Sequence, residues 1–497
     1  MVIISFAAIL FLVKKMKCNI HKTYLLLLVI YNSTLAWSRQ RTGEPEEIIT
    51  KAIEKLGIHE LNGKVLHFFS MESSLQKAQS ERTVQPFYSF FNDIETWFDV
   101  DKNIIKTSGR SLSFGSGPGL ATITIAVKGK AFMMRDTFAI ALQAGGVDEM
   151  NVWRLLLDWQ ESKSLRTGKN EIFRNYERIV LIRDGAVGQE KLFINKQTGF
   201  PVKYDYWEKH YLWGQVHIEV LYDTSIRVGN SFVPSGIYRM IDGETKLYRS
   251  IGKCEVLEKD KAPDLAFPEK APNPQVSFSM GTSLQLPPVD TVKISNNAYL
   301  LKNRFYTETV TLINNTVYLF NATLGEDRAK QDEEWIKKLF PGSHEVYVVM
   351  TDLAWPHISG VRYWVNRGAK IISHKMSEEF LRKVIQRKWT LETDELEKNP
   401  RRKDFKFIGI EKLYEMAGGK IKLFPLDGIS SEGALVALLT AENFLWASDY
   451  VQTVTKPFVY ATDVIGAMRR EGFTPFKFAA EHIPLTDWKT LESVNKF

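Results

Sequence analysis

The sequence is poor in cysteine, in long apolar runs and in excess charge. Only two cysteines, Cys18 and Cys254, occur among 497 residues. No stretch beyond the N-terminus approaches the roughly 20 apolar residues that a transmembrane helix needs. The formal net charge is +7; four lysines within residues 1–38 carry four of these charges, which leaves +3 for the rest. These absences exclude a disulfide-rich scaffold and a multi-span membrane protein, and they argue against nucleic-acid binding.

The N-terminus is typical of an export signal. A basic region with lysines at positions 14, 15, 17 and 22 accompanies the apolar run Tyr24–Ile30, and Ala36 and Ser38 form a cleavage signal. Either Met1 or Met16 is the start. We therefore predict a signal peptide over 1–38 and a periplasmic or extracellular protein with no transmembrane span after cleavage. The mature chain keeps only Cys254, so it has no internal disulfide and needs a sizeable core.

The length predicts more than one hydrophobic core. Residues 39–257 read as a β-rich unit, with helices over Pro45–Leu56 and Asp148–Lys163. Residues 258–288 hold six prolines and show no periodicity, which is typical of a linker. We place the domain boundary there and predict a second domain over 289–497.

Short strands with a Thr-Gly turn followed by Pro201, as in LFINKQTGFPVKYDYW, recur through the first unit. Over about residues 60–257 this series resembles periplasmic lipoprotein-carrier-like domains. The resemblance implies a curved antiparallel sheet that wraps a helix, and it implies no function. The aromatic residues of this unit, among them Phe91, Trp97, Tyr204 and Trp207, either line a hydrophobic groove or belong to the core.

The most informative stretch of the second unit is EVYVVMTDLAWPHISGVRYWVNRGAKIISH, residues 345–374. It predicts a buried strand over Val346–Met350, a polar turn over Thr351–Gly360, a helix over Val361–Asn366 and a second buried strand over Ala369–Ser373. This order places reactive groups at the carboxyl ends of strands in a layered α/β domain.

This stretch resembles the metallo-β-lactamase family, which carries a His-x-His-x-Asp-His run after such a strand. Here the six positions read Asp352, Leu353, Ala354, Trp355, Pro356 and His357. The resemblance runs from Val289 to the C-terminus, where further helices are predicted over Asp327–Phe340, over Glu378–Trp389 after a Ser377 cap, and over Ala461–Glu471. The predicted fold class is thus α+β: a curved antiparallel β-sheet domain with helices, then an αββα metallo-β-lactamase-type sandwich.

The resemblance also implies which site positions are retained. Asn321 stands where the family has an aspartate, and Ser430 or Ser431 stands where it has a histidine. A first metal position is lost, since Asp352, Ala354 and Ser430 replace its ligands. The ligands of a second position survive as His357, Asp449 and His482.

Two histidines and a carboxylate form a known mononuclear metal arrangement. We therefore expect one zinc ion, or iron or manganese, on His357, Asp449 and His482, with Asp352 as a further ligand or as the general base. Asn321, His374 and Ser430 are expected to surround these residues. The implied function is that of an exported hydrolase-like protein acting on an ester or amide of an unknown small molecule.

Other interpretations stay open. His357 and Asp449 can serve as local caps, and His482 can be held by Glu481. The protein is then a catalytically inactive relative that binds a ligand or an envelope partner. A third possibility is a serine nucleophile, with Ser430 or Ser431 beside a histidine and Asp449.

Overall fold

The computed structural model describes residues 44–75, 89–111, 122–127, 130–135, 138–142, 149–210, 212–265, 288–303, 306–426, 428 and 431–495. The predicted signal peptide, most of the proline-rich segment and Ser430 lie outside these residues.

A large antiparallel sheet occupies the N-terminal part of the chain. Its strand order is β6-β5-β4-β3-β2-β1-β16-β15-β12-β11-β10-β9-β7, β8 pairs with β9, and β13 and β14 form a separate hairpin. The strands are β1 Lys64–Leu75, β2 Ser89–Asp99, β3 Ile104–Ser111, β4 Thr122–Val127, β5 Lys130–Arg135, β6 Phe138–Leu142, β7 Arg166–Thr167, β8 Glu171–Phe173, β9 Tyr176–Gly185, β10 Gly188–Asn195, β11 Pro201–His210, β12 Gly214–Tyr222, β13 Ser225–Val228, β14 Ser231–Pro234, β15 Gly236–Ile241 and β16 Glu244–Glu258.

Two helices pack on this sheet and close its core. Helix α1 (Pro45–Lys55) begins with a proline in its first turn, and Gly57 follows its end at φ 67°. Helix α2 (Val152–Gln160) is shorter than predicted at both ends; its start is fixed by Asn151, which caps it by accepting from the Arg154 amide. Leu156 and Trp159 of α2 are fully buried with Tyr204 of the sheet. Among the aromatic side chains named above, Tyr204 is therefore core, whereas Phe91 and Trp207 are 44% and 43% exposed.

The C-terminal part contains two further sheets. The first has the order β17 to β23, and β20, β21, β22 and β23 are parallel; the second has the order β24 to β29, in which β27 and β28 are parallel. The strands are β17 Asp290–Lys293, β18 Ala298–Lys302, β19 Thr307–Ile313, β20 Thr316–Phe320, β21 Glu345–Met350, β22 Lys370–His374, β23 Phe407–Ile410, β24 Tyr414–Met416, β25 Ile421–Leu426, β26 Ala434–Leu439, β27 Phe444–Trp446, β28 Lys477–Ala480 and β29 Ile483–Asp487.

Helices flank these two sheets. They are α3 Glu326–Leu339, α4 Trp355–Ile358, α5 Val361–Asn366, α6 Glu378–Gln386, α7 Glu395–Lys398, α8 Val459–Arg470 and α9 Trp488–Val494, and short 3₁₀ turns lie at Ile58–Leu61, Lys259–Lys261, Lys375–Ser377 and Pro400–Lys403. No helix among the described residues is both long and apolar enough to span a membrane.

The buried apolar side chains of the described C-terminal residues fall into three cores. One lies between the sheets and joins Val349 and Ile372 to Leu435 and Trp446. The second packs α3, α5 and α6 on the first sheet, and the third packs α8 and α9 on the second sheet. Strands such as β26, in which every residue is buried, need apolar side chains on both faces for this reason. The α+β class is confirmed.

Some predicted helix ends were wrong. Helix α5 spans the predicted residues, but α6 ends at Gln386 and not at Trp389, because Arg387 adopts an extended conformation. Ser377 makes no side-chain cap of α6; it lies within a 3₁₀ turn whose cap is His374.

The hairpin tip between β11 and β12, residues 210 and 212–214, packs against the C-terminal part. Leu212 is 1% exposed and belongs to the core beneath α5 and α6, and Trp213 contacts Phe380 edge-to-face at 5.5 Å between ring centroids. Gln215 accepts from the Thr390 amide at 3.0 Å. The ring of His210 lies 5.8 Å from that of Trp355, so the tip reaches the segment that carries His357.

Candidate functional site

Four strands of the two C-terminal sheets end at one edge. Because β20 is parallel to β21 and β27 is parallel to β28, the residues that follow each pair emerge on the same side. The Leu435 amide donates to the Thr351 carbonyl at 2.8 Å and ties the two sheets together there. The polar residues that follow these strands are Asn321 after β20, Thr351 and Asp352 after β21, Ser448 and Asp449 after β27, and Glu481 and His482 after β28.

His357 and Asp352 form the buried centre of this edge. His357 is 2% exposed and Asp352 is 5% exposed. Nδ1 of His357 lies 2.7 Å from Oδ1 of Asp352, which also accepts from the Ala354 amide at 2.8 Å. The other oxygen, Oδ2, accepts from Ser448 Oγ at 2.6 Å and from Asn321 Nδ2 at 3.2 Å. Both oxygens of Asp352 are thus engaged by protein donors.

Asn321 links the two carboxylates of the site. Its Nδ2 donates to Asp352 and also to Glu481 Oε1, while its Oδ1 accepts from the amide and the hydroxyl of Thr351, each at 2.8 Å. Its backbone has φ 66°, a left-handed conformation that asparagine tolerates better than most residues. The amide therefore uses both ends: it donates to the acids and accepts from the strand end.

Glu481 is a central residue that sequence reasoning considered only as a carboxylate that could hold His482. In the structure it contacts His357: Nε2 of His357 lies 2.6 Å from Oε2 of Glu481. The carboxylate found beside His482 is Asp449, at 3.5 Å. His357 thus has a carboxylate at each ring nitrogen.

Burial disfavours the charged forms of Asp352, His357 and Glu481. Burial alone would raise the pKa of Asp352, but the charge of His357 and the hydrogen bonds from His357 and Ser448 hold that pKa below its ordinary value. It would lower the pKa of His357, but Asp352 and Glu481 raise it well above its ordinary value. Burial raises the pKa of Glu481 to about 8, against the attraction of His357. These directions favour an ionised Asp352 paired with a protonated His357, and they make Glu481 the acid of the trio that holds a proton most readily.

The edge opens to solvent at Asp449 and His482, whose side chains are 25% and 37% exposed. Tyr306 lies beside both histidines, with its ring centroid 5.4 Å from that of His357 and 5.0 Å from that of His482. Burial raises the pKa of Tyr306 to about 12, so the phenol stays protonated at neutral pH. The site therefore has a buried centre around His357 and a solvent-accessible side formed by Asp449 and His482.

Two overlapping groups of side chains are close enough to hold a cation. One ligand atom each of His357, Asp449 and His482 lies within 4.8 Å of the others, and the same holds for Asp352, His357 and Glu481. The first group has the donor types and the open face that a mononuclear site needs. One observation favours a cation at this place: the buried oxygen Oε2 of Glu481 makes no aligned hydrogen bond among the described residues. Another argues against it: a proton on His357 Nε2 must leave before that nitrogen can bind a metal.

The other predicted residues take local roles. His374 Nδ1 accepts from the Met376 amide at 3.3 Å. Ser431 donates to Asp463 at 2.9 Å, so its observed partner is a carboxylate of α8 and not a histidine. Ser430 lies outside the described residues.

Sequence reasoning missed four contributors: Glu481 as the partner of His357, Ser448, Thr351 and Tyr306. A carboxylate directly after a buried strand was a usable signal for Glu481. Ser448 and Thr351 also follow strands, but they are too common in turns to be singled out. Nothing in the sequence near Tyr306 indicates that it meets His357, 51 positions later in the chain.

Comparison with known proteins gives distant likenesses. No family model matches the chain, and no curated protein matches it. A solved DIM-1 metallo-β-lactamase is 13% identical with a TM-score of 0.33, and the match covers 42% of this chain and 97% of that one. A metallo-β-lactamase from Pontibacter korlensis is 13% identical with a TM-score of 0.33, covering 41% and 95%. A LolA superfamily protein from Nitrosomonas europaea is 8% identical with a TM-score of 0.31, covering 43% and 93%. Likenesses at these values establish no family for this chain.

Proposed function

We propose that this protein is a hydrolase-like protein of metallo-β-lactamase type with one metal position, formed by His357, Asp449 and His482. The observation that carries the proposal is the convergence of three ligand atoms within 4.8 Å at an edge that is open to solvent. Two imidazoles and one carboxylate suit zinc, iron or manganese and leave coordination positions for water or substrate.

Each protein group has a separate task in this proposal. His357 offers Nε2 to the cation, because Asp352 accepts from Nδ1 and orients the ring. Asp352 is then an orienting carboxylate and not a ligand, because its four donors occupy both oxygens. Asp449 and His482 complete the donor set at the open side. The cation supplies Lewis-acid polarisation of a carbonyl oxygen, which suits cleavage of an ester or amide.

The proton on His357 competes with the cation. Below the pKa of His357, which is raised well above its ordinary value, each bound cation releases a proton. Affinity is therefore expected to rise by up to about tenfold per pH unit in that range.

Metal analysis of tag-free protein tests the proposal. Titration with Zn²⁺, Mn²⁺ or Fe²⁺ should reach about one equivalent per chain, and this uptake should be lost in Asp449→Ala and His482→Ala. His374→Ala is the matched control, since it removes a histidine from the same part of the chain and should leave uptake unchanged. Uptake below about a tenth of an equivalent with all three ions overturns the metal site.

Hydrolysis is tested separately, with nitrophenyl esters and anilides on protein of known metal content. Turnover should follow the metal content and disappear in Asp449→Ala. If the protein takes up metal but hydrolyses neither substrate class, the hydrolase part of the proposal is rejected and the metal site is kept.

A second candidate is a metal-free protein that binds a ligand or an envelope partner. The 2.6 Å contact between His357 and Glu481 favours it, because an imidazolium there already supplies the positive charge that a cation would bring. A folded protein that takes up no metal between pH 6 and 9 is the outcome this candidate requires.

Export and domain division are further parts of the proposal, and both rest on the sequence. The basic region and apolar run support removal of residues 1–38, and the proline-rich segment 258–288 supports a boundary between 39–257 and 289–497. The mass of the mature protein from an expressing cell tests the first. A mature mass that still includes the N-terminal segment would contradict cleavage.

A further inference from the structure

Three fully buried ionisable side chains lie near the site, apart from the candidate metal ligands. Glu308 of β19 and Arg328 and Asp332 of α3 each have an exposed fraction of 0%. Arg328 Nε donates to Asp332 Oδ1 at 2.8 Å, and one of its terminal nitrogens donates to the Leu301 carbonyl at 2.9 Å. Asp332 is thus the carboxylate that pairs with the guanidinium, and Glu308 is the second acid of the cluster.

Glu308 holds the loop that carries Asn321. Its Oε1 accepts from the Thr323 amide at 2.5 Å and from the Thr323 hydroxyl at 2.6 Å. The loop runs from Asn321 to Gly325 and contains two non-glycine residues with positive φ, Asn321 at 66° and Leu324 at 57°. Such a backbone persists only where neighbouring contacts hold it.

The same loop is bonded to the segment that carries His357. The Ala322 amide donates to the His357 carbonyl at 2.8 Å, and the Leu324 amide donates to the Pro356 carbonyl at 2.7 Å. The Gly360 amide donates back to the Ala322 carbonyl at 2.8 Å. A restraint on Thr323 therefore reaches the backbone of His357 through one loop.

Charge balance fixes the protonation of the cluster. The charged groups that face Glu308 are Arg328 and Asp332, and a fully buried group of two carboxylates and one guanidinium would carry an uncompensated negative charge. Such a charge costs several kcal/mol, so one acid keeps its proton. Burial raises the pKa of Glu308 well above its ordinary value, and it also raises that of Asp332. Neither Glu308 Oε2 nor Asp332 Oδ2 has a hydrogen-bond partner among the described residues, and the two carboxyl groups interact with each other. One proton held between the two acids would satisfy both oxygens.

We propose that Glu308 is a positioning residue which, as a neutral carboxylic acid, fixes the Asn321–Gly325 loop and through it the His357 segment. Its Oε2 hydroxyl donates to Asp332 while its Oε1 accepts from Thr323. The proposal concerns the backbone of the proposed site, but it stands without a metal, because every contact in it is between protein atoms.

Hydrogen exchange of the metal-free full chain tests this role. Glu308→Gln keeps both functions, since its amide donates to Asp332 and its carbonyl accepts from Thr323; protection of the amides of residues 322–324 should stay within about twofold of wild type. Glu308→Met removes the acceptor, and these amides should exchange about tenfold faster or more. Thr309→Val is the matched control: it lies on the same strand, is fully buried, and its hydroxyl has no hydrogen-bond partner among the described residues.

The Glu308→Gln variant distinguishes a positioning role of Glu308 from a role in packing alone, because it keeps the hydrogen bonds of the side chain as well as its size. The ¹⁵N resonances of the His357 ring should shift in Glu308→Met and stay in place in Glu308→Gln and Thr309→Val. Exchange as fast in Glu308→Gln as in Glu308→Met would show that the negative charge is needed. Unchanged exchange in both variants would show that Glu308 does not hold the loop. Either result overturns the proposal.

If Glu308→Met does not fold, wild type and Glu308→Gln are compared at rising pH, where only wild type should lose loop protection. A wild-type protein without metal uptake leaves this test intact and overturns only the proposed function.

Discussion

Replacing Gly214 by alanine is expected to loosen the contact between the hairpin tip and the C-terminal part of the chain. Gly214 has φ 74°, and a Cβ added there would lie 2.4 Å from the Trp389 ring. Trp389 cannot move freely, because the Arg362 guanidinium lies over its ring at 4.7 Å. The substitution therefore forces either the tip or the tryptophan to shift.

The expected loss has two parts. An L-residue in the left-handed region costs about 1–2 kcal/mol relative to glycine. Overpacking against the partly buried Trp389 ring costs typically about 1–3 kcal/mol more. The free energy of unfolding should thus fall by about 2–5 kcal/mol in Gly214→Ala.

Gly63→Ala is the matched control. Gly63 has φ 76°, almost the same backbone, but no atom lies within 4 Å of an added Cβ. It should lose only the conformational part, about 1–2 kcal/mol. The difference between the two variants isolates the packing of the tip on Trp389.

Urea unfolding followed by tryptophan fluorescence measures both losses. Limited proteolysis of the native variants adds a local measure, since a loosened tip should expose segment 387–392 to cleavage in Gly214→Ala alone. Equal losses in the two variants, with unchanged proteolysis, would refute the contact between the tip and Trp389.

Three further predictions concern buried polar groups. Asn321→Asp places a third carboxylate beside Glu481 where an amide donates now, so the free energy of unfolding should fall by about 1–3 kcal/mol; an unchanged thermal midpoint would contradict this. Between its ordinary pKa of 4.5 and its folded value of about 8, folded Glu481 holds a proton that the unfolded chain has released. Stability should therefore fall as pH rises through this window, by up to about 1.4 kcal/mol per pH unit for this proton. Glu481→Gln should remove that contribution in urea titrations at several pH values, and an unaltered slope would argue against it. Arg362→Lys breaks the two-pronged pair with Asp394 at 2.6 and 3.0 Å, and calorimetry should show a loss of about 3 kcal/mol or more. A loss below about 1 kcal/mol would mean that a lysine ammonium pairs with Asp394 as well as the arginine guanidinium does.

Much of the fold followed from local patterns. The buried run before Thr351 predicted β21, and the Val361–Asn366 helix was found with its predicted ends. Such elements are set by apolar spacing and by punctuating glycine and proline, which act within a few residues. The α6 helix was overpredicted for the opposite reason: Arg387 leaves the helix to donate to the Gln215 carbonyl, a partner 172 positions away.

The sequence by itself determined which chemical groups stand at the strand ends: the histidines at 357 and 482, the aspartates at 352 and 449, and the asparagine at 321. Only the tertiary structure decided which of them meet. It set Asp352 behind His357, turned Glu481 onto His357 and left His482 beside Asp449. Strand pairing across two sheets and burial determine these contacts, and neither is encoded within a single stretch of the chain. The protonation of this centre follows from that burial. Where water is excluded, the ionised form of a carboxylate or an imidazole is stabilised mainly by an oppositely charged neighbour.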